Sequence, residues 1–422
     1  MIFAASCQPA SEPAKPTLVS ATNTAEILCL APISGAAPDE PIARPHVDST
    51  SANAWINRGR AWVLHARLSA DPGFYLNVGA CADQALSLEA NHASALELKA
   101  LVMMNMHDFA GARDLAASLV KSHPESASAF GLLADAQLEL GEYDAALSNT
   151  QTQLNLRPNM AGHARASYLR WLVGDAAGAR RLIVLALQDR NMADAEATAW
   201  TFVEAGNIYW NMGDLAAADA VYAEALKWVA DYPAALAARG KIALAQGDHA
   251  QAIEWLSQSL KIRPLVDTAW WLGDALTAQA KTSEAAGAYA QAEAIGRRGD
   301  DLMLANFLAS QKRDLDQALR LVDDDLKTRS SIYVHDARSW ILYRMGRFDE
   351  ALASSDAAMR LSTPDPKLIF HAGAIRLALG QREAGMRLLH QAVSLNPSFQ
   401  ANAVAEAKTL MSADAAPGLA AE

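Results

Sequence analysis

Gly141-Glu142-Tyr143-Asp144-Ala145-Ala146-Leu147 stands between two runs of apolar residues, and its reading decides the fold. Before it, Phe130, Leu133, Ala134 and Leu138 recur at helical spacing; after it, a second periodic run starts at Ala145 and ends near Pro158. Such spacing places apolar side chains on one face of a helix. Gly141 suits the left-handed conformation that ends many helices, and Ala146 is small enough to let two helices approach closely. The stretch reads as helix, tight turn, helix.

The pattern then repeats. His107, Gly141, Gly174, Gly213, Gly247, Ala280, Arg313, Gly346 and Gly380 take the same place at steps of 34, 33, 39, 34, 33, 33, 33 and 34 residues. Five residues after each stands a small one: Ala112, Ala146, Ala179, Ala218, Ala252, Ala285, Ala318, Ala351 and Gly385. A period in this range marks a solenoid, which offers a long surface rather than one deep catalytic cleft. The turn glycine is missing at Ala280 and Arg313, and the 39-residue step inserts residues around 191–195, where a lengthened loop or helix end is expected.

Small residues at repeat positions 8 and 20, glycine at 15, a small residue near 27 and proline near 32 resemble the tetratricopeptide repeat. Gly240, Gly247, Ala252, Leu256, Leu260 and Pro264 carry the resemblance in one copy, and Gly206, Gly213, Ala218, Tyr222, Ala225 and Leu226 in another. About ten copies can be phased, from Trp55, Gly59 and Trp62 to Gly373, Gly380, Ala392 and Pro397, covering roughly 350 of 422 residues. The resemblance implies an all-α fold, a right-handed α-solenoid of helix-turn-helix units. The expected organisation is a flexible Pro/Ala/Ser-rich tail over 1–50, the array over 51–398, a capping helix over 399–411 and a disordered tail over 412–422.

Composition narrows the function. Acids outnumber bases 47 to 36, for a net charge of −11, and no basic stripe with interleaved aromatics appears, so nucleic acid has no electrostatic footprint. No apolar run approaches the roughly 18 to 20 residues that span a bilayer. The ten histidines are scattered, with no His-x-x-x-His pair and no Cys-x-x-Cys, so neither a metal nor a cofactor is expected. Asp323-Asp324-Asp325 lacks the glycine and distal glutamate of a calcium loop and reads as a solvated helix face. There is no Gly-x-Ser-x-Gly elbow and no glycine-rich phosphate loop. The repeats use up the chain, leaving no room for a catalytic domain, and the expected class is a non-enzymatic scaffold.

In the tetratricopeptide family the first helix of each unit lines the concave groove, which the resemblance carries over to positions 2, 5, 9, 12 and 13. Those positions nominate Tyr168, Trp171, Trp200, Asn207, Trp210, Asn211, Trp270, Asp274, Phe307, Trp340, Tyr343 and Arg344, with Tyr333 and Asp336 alongside. Six of the ten tryptophans fall on first helices from the fourth copy onward, whereas Trp55 and Trp62 occupy core positions. Aromatics beside amides and carboxylates anchor partners. An extended peptide or protein is the expected ligand; the alternative is polysaccharide, whose rings stack on indole faces, in the manner of repeat lipoproteins that support exopolysaccharide export. The Lys/Asn/Arg set of chaperone-binding clamps is absent from consecutive copies, Arg60 and Lys241 being isolated.

Phe3-Ala4-Ala5-Ser6-Cys7 resembles the cleavage box of bacterial lipoproteins, in which the cysteine is lipidated. That pattern calls for a basic and an apolar segment upstream, of which only Met1, Ile2 and Phe3 stand here. Either the true start lies further upstream and the protein is a periplasmic or outer-membrane-anchored lipoprotein, or Cys7 is incidental and the protein is cytoplasmic. Export would make Cys29 and Cys81 candidates for a disulfide; otherwise Cys81 is a small buried apolar residue and Cys29 part of the tail.

Overall fold

The structure, a computed structural model, describes residues 21–30, 48–69, 71–190 and 194–415. Cys7, the tails at 1–20 and 416–422 and most of the 191–195 insertion lie outside the described residues. All regular structure among those described is helical. Ten hairpins stand among the described residues, nine of them on the repeat ladder, and the chain divides into two compact units, the first comprising 1–158 with 298–300 and the second 159–297 with 301–422.

The first unit holds α1 (Ala21–Leu30) and three hairpins: α2 (Ala52–Ser69) with α3 (Phe74–Leu88), α4 (Ala93–Asn105) with α5 (Phe109–Ser122), and α6 (Ala127–Glu139) with α7 (Tyr143–Leu156). Part of the expected flexible tail is therefore a docked helix. Cys29 of α1 is fully buried and disulfide-bonded to Cys81 of α3, a separation of 52 residues. The last carbonyls of α1, which no intrahelical N–H can satisfy, accept from side chains instead. Asn77 Nδ2 donates to Leu28 O at 2.5 Å, Trp62 Nε1 to Cys29 O at 2.7 Å and an Arg58 guanidinium nitrogen to Leu30 O at 3.4 Å. Trp55 and Trp62 are core residues, as their positions predict.

The second unit holds seven hairpins: α8 (Met160–Leu172) with α9 (Ala176–Gln188), α10 (Ala195–Asn211) with α11 (Leu215–Trp228), α12 (Pro233–Gln246) with α13 (His249–Ile262), and α14 (Val266–Ala278) with α15 (Thr282–Gly296). α16 (Asp301–Ser310) with α17 (Leu315–Asp325), α18 (Ile332–Arg344) with α19 (Phe348–Ala358), and α20 (Pro366–Ala378) with α21 (Arg382–Leu395) complete it, before the closing helix α22 (Ala401–Ala415). α22 runs past the expected end at 411 into the segment read as a disordered tail. Across the 39-residue step, Asp194 caps the longer α10 by accepting from Ala197 N.

The turn ladder has a direct backbone cause. Eight of its nine residues have positive φ, from 58° at Ala280 to 82° at Gly174. The ninth, Arg313, does not. The bonds from Lys312 N to Ala309 O and from Arg313 N to Leu308 O match those from Gly247 N to Leu244 O and from Asp248 N to Ala243 O. Lys312, with φ 54°, is thus the true turn residue, and Asp314, with φ 45°, is an inserted one. Ala280 carries the left-handed conformation without glycine's freedom, a strain of about 1 kcal/mol. Ala280→Gly is expected to raise unfolding free energy by about that amount in urea titration; a neutral or destabilising result would show the turn to be unstrained.

Within hairpins, glycine at position 8 receives a side chain sixteen residues on. A Cβ at Gly206 would lie 2.3 Å from the Tyr222 ring and one at Gly273 2.3 Å from Tyr289; Gly240 and Gly373 meet Leu256 and Leu389 in the same way. The small residues of the ladder, from Ala112 to Ala351, are all buried.

The second unit closes on itself. Thr363, just before α20, donates its hydroxyl to Leu172 O at the end of α8 at 2.5 Å. Asn396, just after α21, donates from Nδ2 to Trp210 O near the end of α10 at 2.6 Å. Both donors are buried. The α10–α11 turn fits against the same segment, Gly213 lying so close that a Cβ would meet Leu395 O at 2.6 Å.

Candidate functional site

The first helices of the second unit surround a cavity of about 450 Å³. With the turn residue counted as position 15, the first helices contribute at a repeating set of positions. Position 2 supplies Asp267 and Lys367, position 6 Trp271, Met303 and His371, and position 9 Lys241, Asn306 and Trp340. Position 13 supplies Asn211, Ser310 and Arg344, with Trp210 and Trp270 beside them. Steps of three and four residues keep these on one helix face. Lys312, Asp365 and Pro366 add lining from the turns and the start of α20, and Phe399, Gln400, Asn402, Ala403 and Glu406 close the cavity from the last helix.

Its charges are held by aromatic faces. Lys241 Nζ lies 4.1 Å from the Trp210 ring centroid and 5.1 Å from that of Trp271. Burial lowers its pKa to about 8, against the opposing pull of Asp365 and Asp267. Among the described residues no carboxylate comes within ion-pairing distance of it. Burial likewise pushes Asp267 and Asp365 upward from the ordinary aspartate value. Arg344 stacks on Trp340 at 4.1 Å and makes two 2.6 Å bonds to Glu406. Trp340 in turn stacks on His371 at 4.0 Å, and His371 Nδ1 meets Asp336 Oδ1 at 2.9 Å. Burial pushes His371 down, against the opposing pull of Asp336; at Asp336 burial is outweighed by His371 and by Lys367, 3.6 Å away, which hold the carboxyl low.

An expected stability change follows from Lys241. Its folded-state pKa lies below the unfolded 10.5, so between about pH 8 and 10.5 the unfolded chain binds more protons and stability rises with pH. Below that window the ammonium carries its full cost. Lys241→Met is therefore expected to stabilise the protein at pH 7 by on the order of 2 kcal/mol, allowing for partial exposure, and by progressively less toward pH 10.5. Chemical denaturation at both ends of the window checks this, and an equal difference at both would show that desolvation of the ammonium is not the cause.

Of the nominated groove residues, Trp210, Asn211, Trp270, Trp340 and Arg344 line the cavity. The others do not. Asn207 accepts from the Tyr222 hydroxyl at 2.8 Å, and Asp274 accepts from the Tyr289 hydroxyl at 2.8 Å. In both hairpins the tyrosine ring covers the position-8 glycine and its hydroxyl takes the next residue, turning position 9 inward. Phe307 is fully buried because the extra residue in the α16–α17 turn moves it to position 10; Asn306 holds position 9 and faces the cavity. Trp171 is 2% exposed. Tyr168 and Trp200 are half-buried outside the cavity, and Tyr343 packs on Trp340 at 4.8 Å. Lys241, Trp271, Asp267, Asp365, Lys367, His371 and Glu406 line the cavity without having been nominated. Lys241 is readable at position 9 once copies are compared, whereas Glu406 belongs to no repeat position. Among the described residues no cluster has the composition of a metal site.

The family profile described as a tetratricopeptide repeat matches residues 97–149 and 203–267. A curated relative, the DnaJ homolog subfamily C member 7 homolog of Schizosaccharomyces pombe, is 24% identical over 200 residues, which are 47% of this chain and 39% of that protein. The chain thus spans well under half the length of the curated relative it matches. Among solved structures, TTC0263, a thermophilic tetratricopeptide protein of Thermus thermophilus, is 18% identical with a TM-score of 0.39, over 50% of this chain and all of that one. The APC/C Cut9–Hcn1 hetero-tetramer gives 16% identity and a TM-score of 0.42, over 84% of this chain and 76% of that one. The profile match falls on the ladder and hairpins described above, and residues 97–149 and 203–267 carry tetratricopeptide repeats.

Proposed function

We propose that this chain is a non-catalytic scaffold that binds a protein or extended peptide on the first-helix surfaces of its hairpins. The observation that carries the reading is the helical hairpin itself, repeated ten times among the described residues, with aromatic and amide side chains on first helices of the second unit. Half-buried Tyr168 and Trp200, outside the cavity, are suited to anchor a partner. The test is cross-linked affinity capture with the wild type and with Tyr168→Ala/Trp200→Ala, after both are shown to melt alike. The reading expects defined proteins retained by the wild type and lost by the variant; capture that is indistinguishable between them, or from a matched control, rejects it.

The same proposal places the protein outside the cytoplasm. Its support is the Cys29–Cys81 disulfide, a bond that persists in oxidising compartments, and lipidation at Cys7 would supply the membrane anchor. Quenching cells in acid and alkylating the denatured, unreduced protein with maleimide tests the placement: both cysteines should escape labelling, and labelled Cys81 would reject it. Polysaccharide threading an open aromatic groove loses its main support, since Trp171 and Phe307 are interior and the second unit closes around its cavity.

A further inference from the structure

The geometry points to a ligand site in the closed second unit: its cavity binds a short neutral saccharide of one or two rings, stacked on Trp271 and hydrogen-bonded between Lys241, Asp267 and Asp365. This site goes beyond the scaffold reading and stands whether or not a protein partner binds elsewhere.

Size comes first. A volume of about 450 Å³ is within the range of small-molecule sites, roughly 300 to 1,000 Å³, and too small for a folded partner.

Wall chemistry then selects the ligand. A site for a mainly apolar molecule is lined mostly by apolar groups with a few polar ones. Here the half-buried Trp271 indole alternates with Asn211, Asn306, Gln400 and Asn402, whose amides can each donate and accept. A pyranose ring matches that alternation, with C–H bonds across its face and hydroxyls around its edge.

Charge excludes ionic alternatives. Lys241, Lys312, Arg344 and Lys367 are balanced by Asp267, Asp365, Glu406 and, beneath the wall, Asp336. Arg344 is occupied by Glu406, so the cavity offers no surplus of either sign to a carboxylate or an ammonium ligand. Lys241 remains apart, facing Asp267 and Asp365 across more than ion-pairing distance. A group bridging that gap must accept from the ammonium and donate to a carboxylate. One hydroxyl oxygen does both, whereas a peptide divides the two roles between N–H and C=O.

The test is calorimetric titration of the full chain with maltose, cellobiose and lactose, read in parallel by tryptophan fluorescence. Saturable binding of at least one at up to about 10 mM is expected, with glucuronate and trilysine inert. Trp271→Ala should weaken it tenfold or more and Trp271→Phe should restore part of the loss. Asn306→Ala, whose side chain supports no other helix, provides a second variant should Trp271→Ala fail to melt like the wild type. Absence of saturable binding by all three sugars overturns the proposal, as does equal affinity in folded Trp271→Ala or Asn306→Ala, or preference for glucuronate or trilysine.

Discussion

Loss of the Cys29–Cys81 disulfide is expected to lower the unfolding free energy of the first unit by about 4 kcal/mol. The bond closes a chain segment of 52 residues, and the chain-entropy relation assigns a loop of that length roughly this value. It also fixes α1 to the array, since Trp62 and Asn77 can bond the carbonyls of Cys29 and Leu28 only while the helix is docked. Urea unfolding of Cys29→Ser/Cys81→Ser, beside the wild type with and without reductant, measures the loss. Trp62→Phe, which keeps an aromatic ring but removes the bond to Cys29 O, should cost about 1 kcal/mol. If the double variant unfolds at the wild-type urea midpoint, α1 contributes nothing to the unit and its docking is wrong.

Gly213→Ala is expected to destabilise the second unit by about 3 kcal/mol or more, against about 1 to 2 for Gly247→Ala. Both glycines have φ near 80°, so alanine brings the same left-handed strain to each. Their surroundings differ. No atom lies within 4 Å of a Cβ built on Gly247, while one on Gly213 meets Leu395 O at 2.6 Å. Relieving that clash moves the segment carrying Asn396 and disturbs its buried bond to Trp210 O, adding the cost of unsatisfied polar groups. The difference between the two variants isolates the closure from turn strain. Equal losses would mean that the α10–α11 turn and the segment after α21 do not hold each other, and hydrogen exchange in α22 would then be unchanged by either substitution.

The repeat is legible in the sequence because its causes are local. A positive-φ turn selects glycine, and a close helix crossing selects alanine, so the residues from His107 to Gly380 align directly. The ladder fails at Arg313 for a physical reason: an inserted Asp314 in the left-handed conformation preserves the spacing to Ala318 while moving the turn to Lys312. That one-residue slip exchanges Phe307 for Asn306. Asn207 and Asp274 stand outside the cavity for another reason: tyrosines on the paired helices claim them, and only a comparison of position 9 with position 24 reveals that pairing. α1 is hidden in a tail rich in proline, alanine and serine; its docking rests on Cys29 and on three helix-end carbonyls, none of which has a repeating signature. Closure through Thr363 and Asn396 depends on the accumulated geometry of seven hairpins and leaves no pattern in sequence.

That closure bears on the order in which the chain assembles. Hairpins of a solenoid form from contacts close in sequence and propagate to their neighbours. Thr363 meets Leu172 across 191 residues and Asn396 meets Trp210 across 186. Contacts of such span are entropically slow to form, so the seven hairpins assemble first as an open chain of units and the two bonds close it last. Ring closure is then a distinct late kinetic step, and adding or deleting one repeat between α10 and α20 would leave rapid hairpin formation intact while preventing that final step.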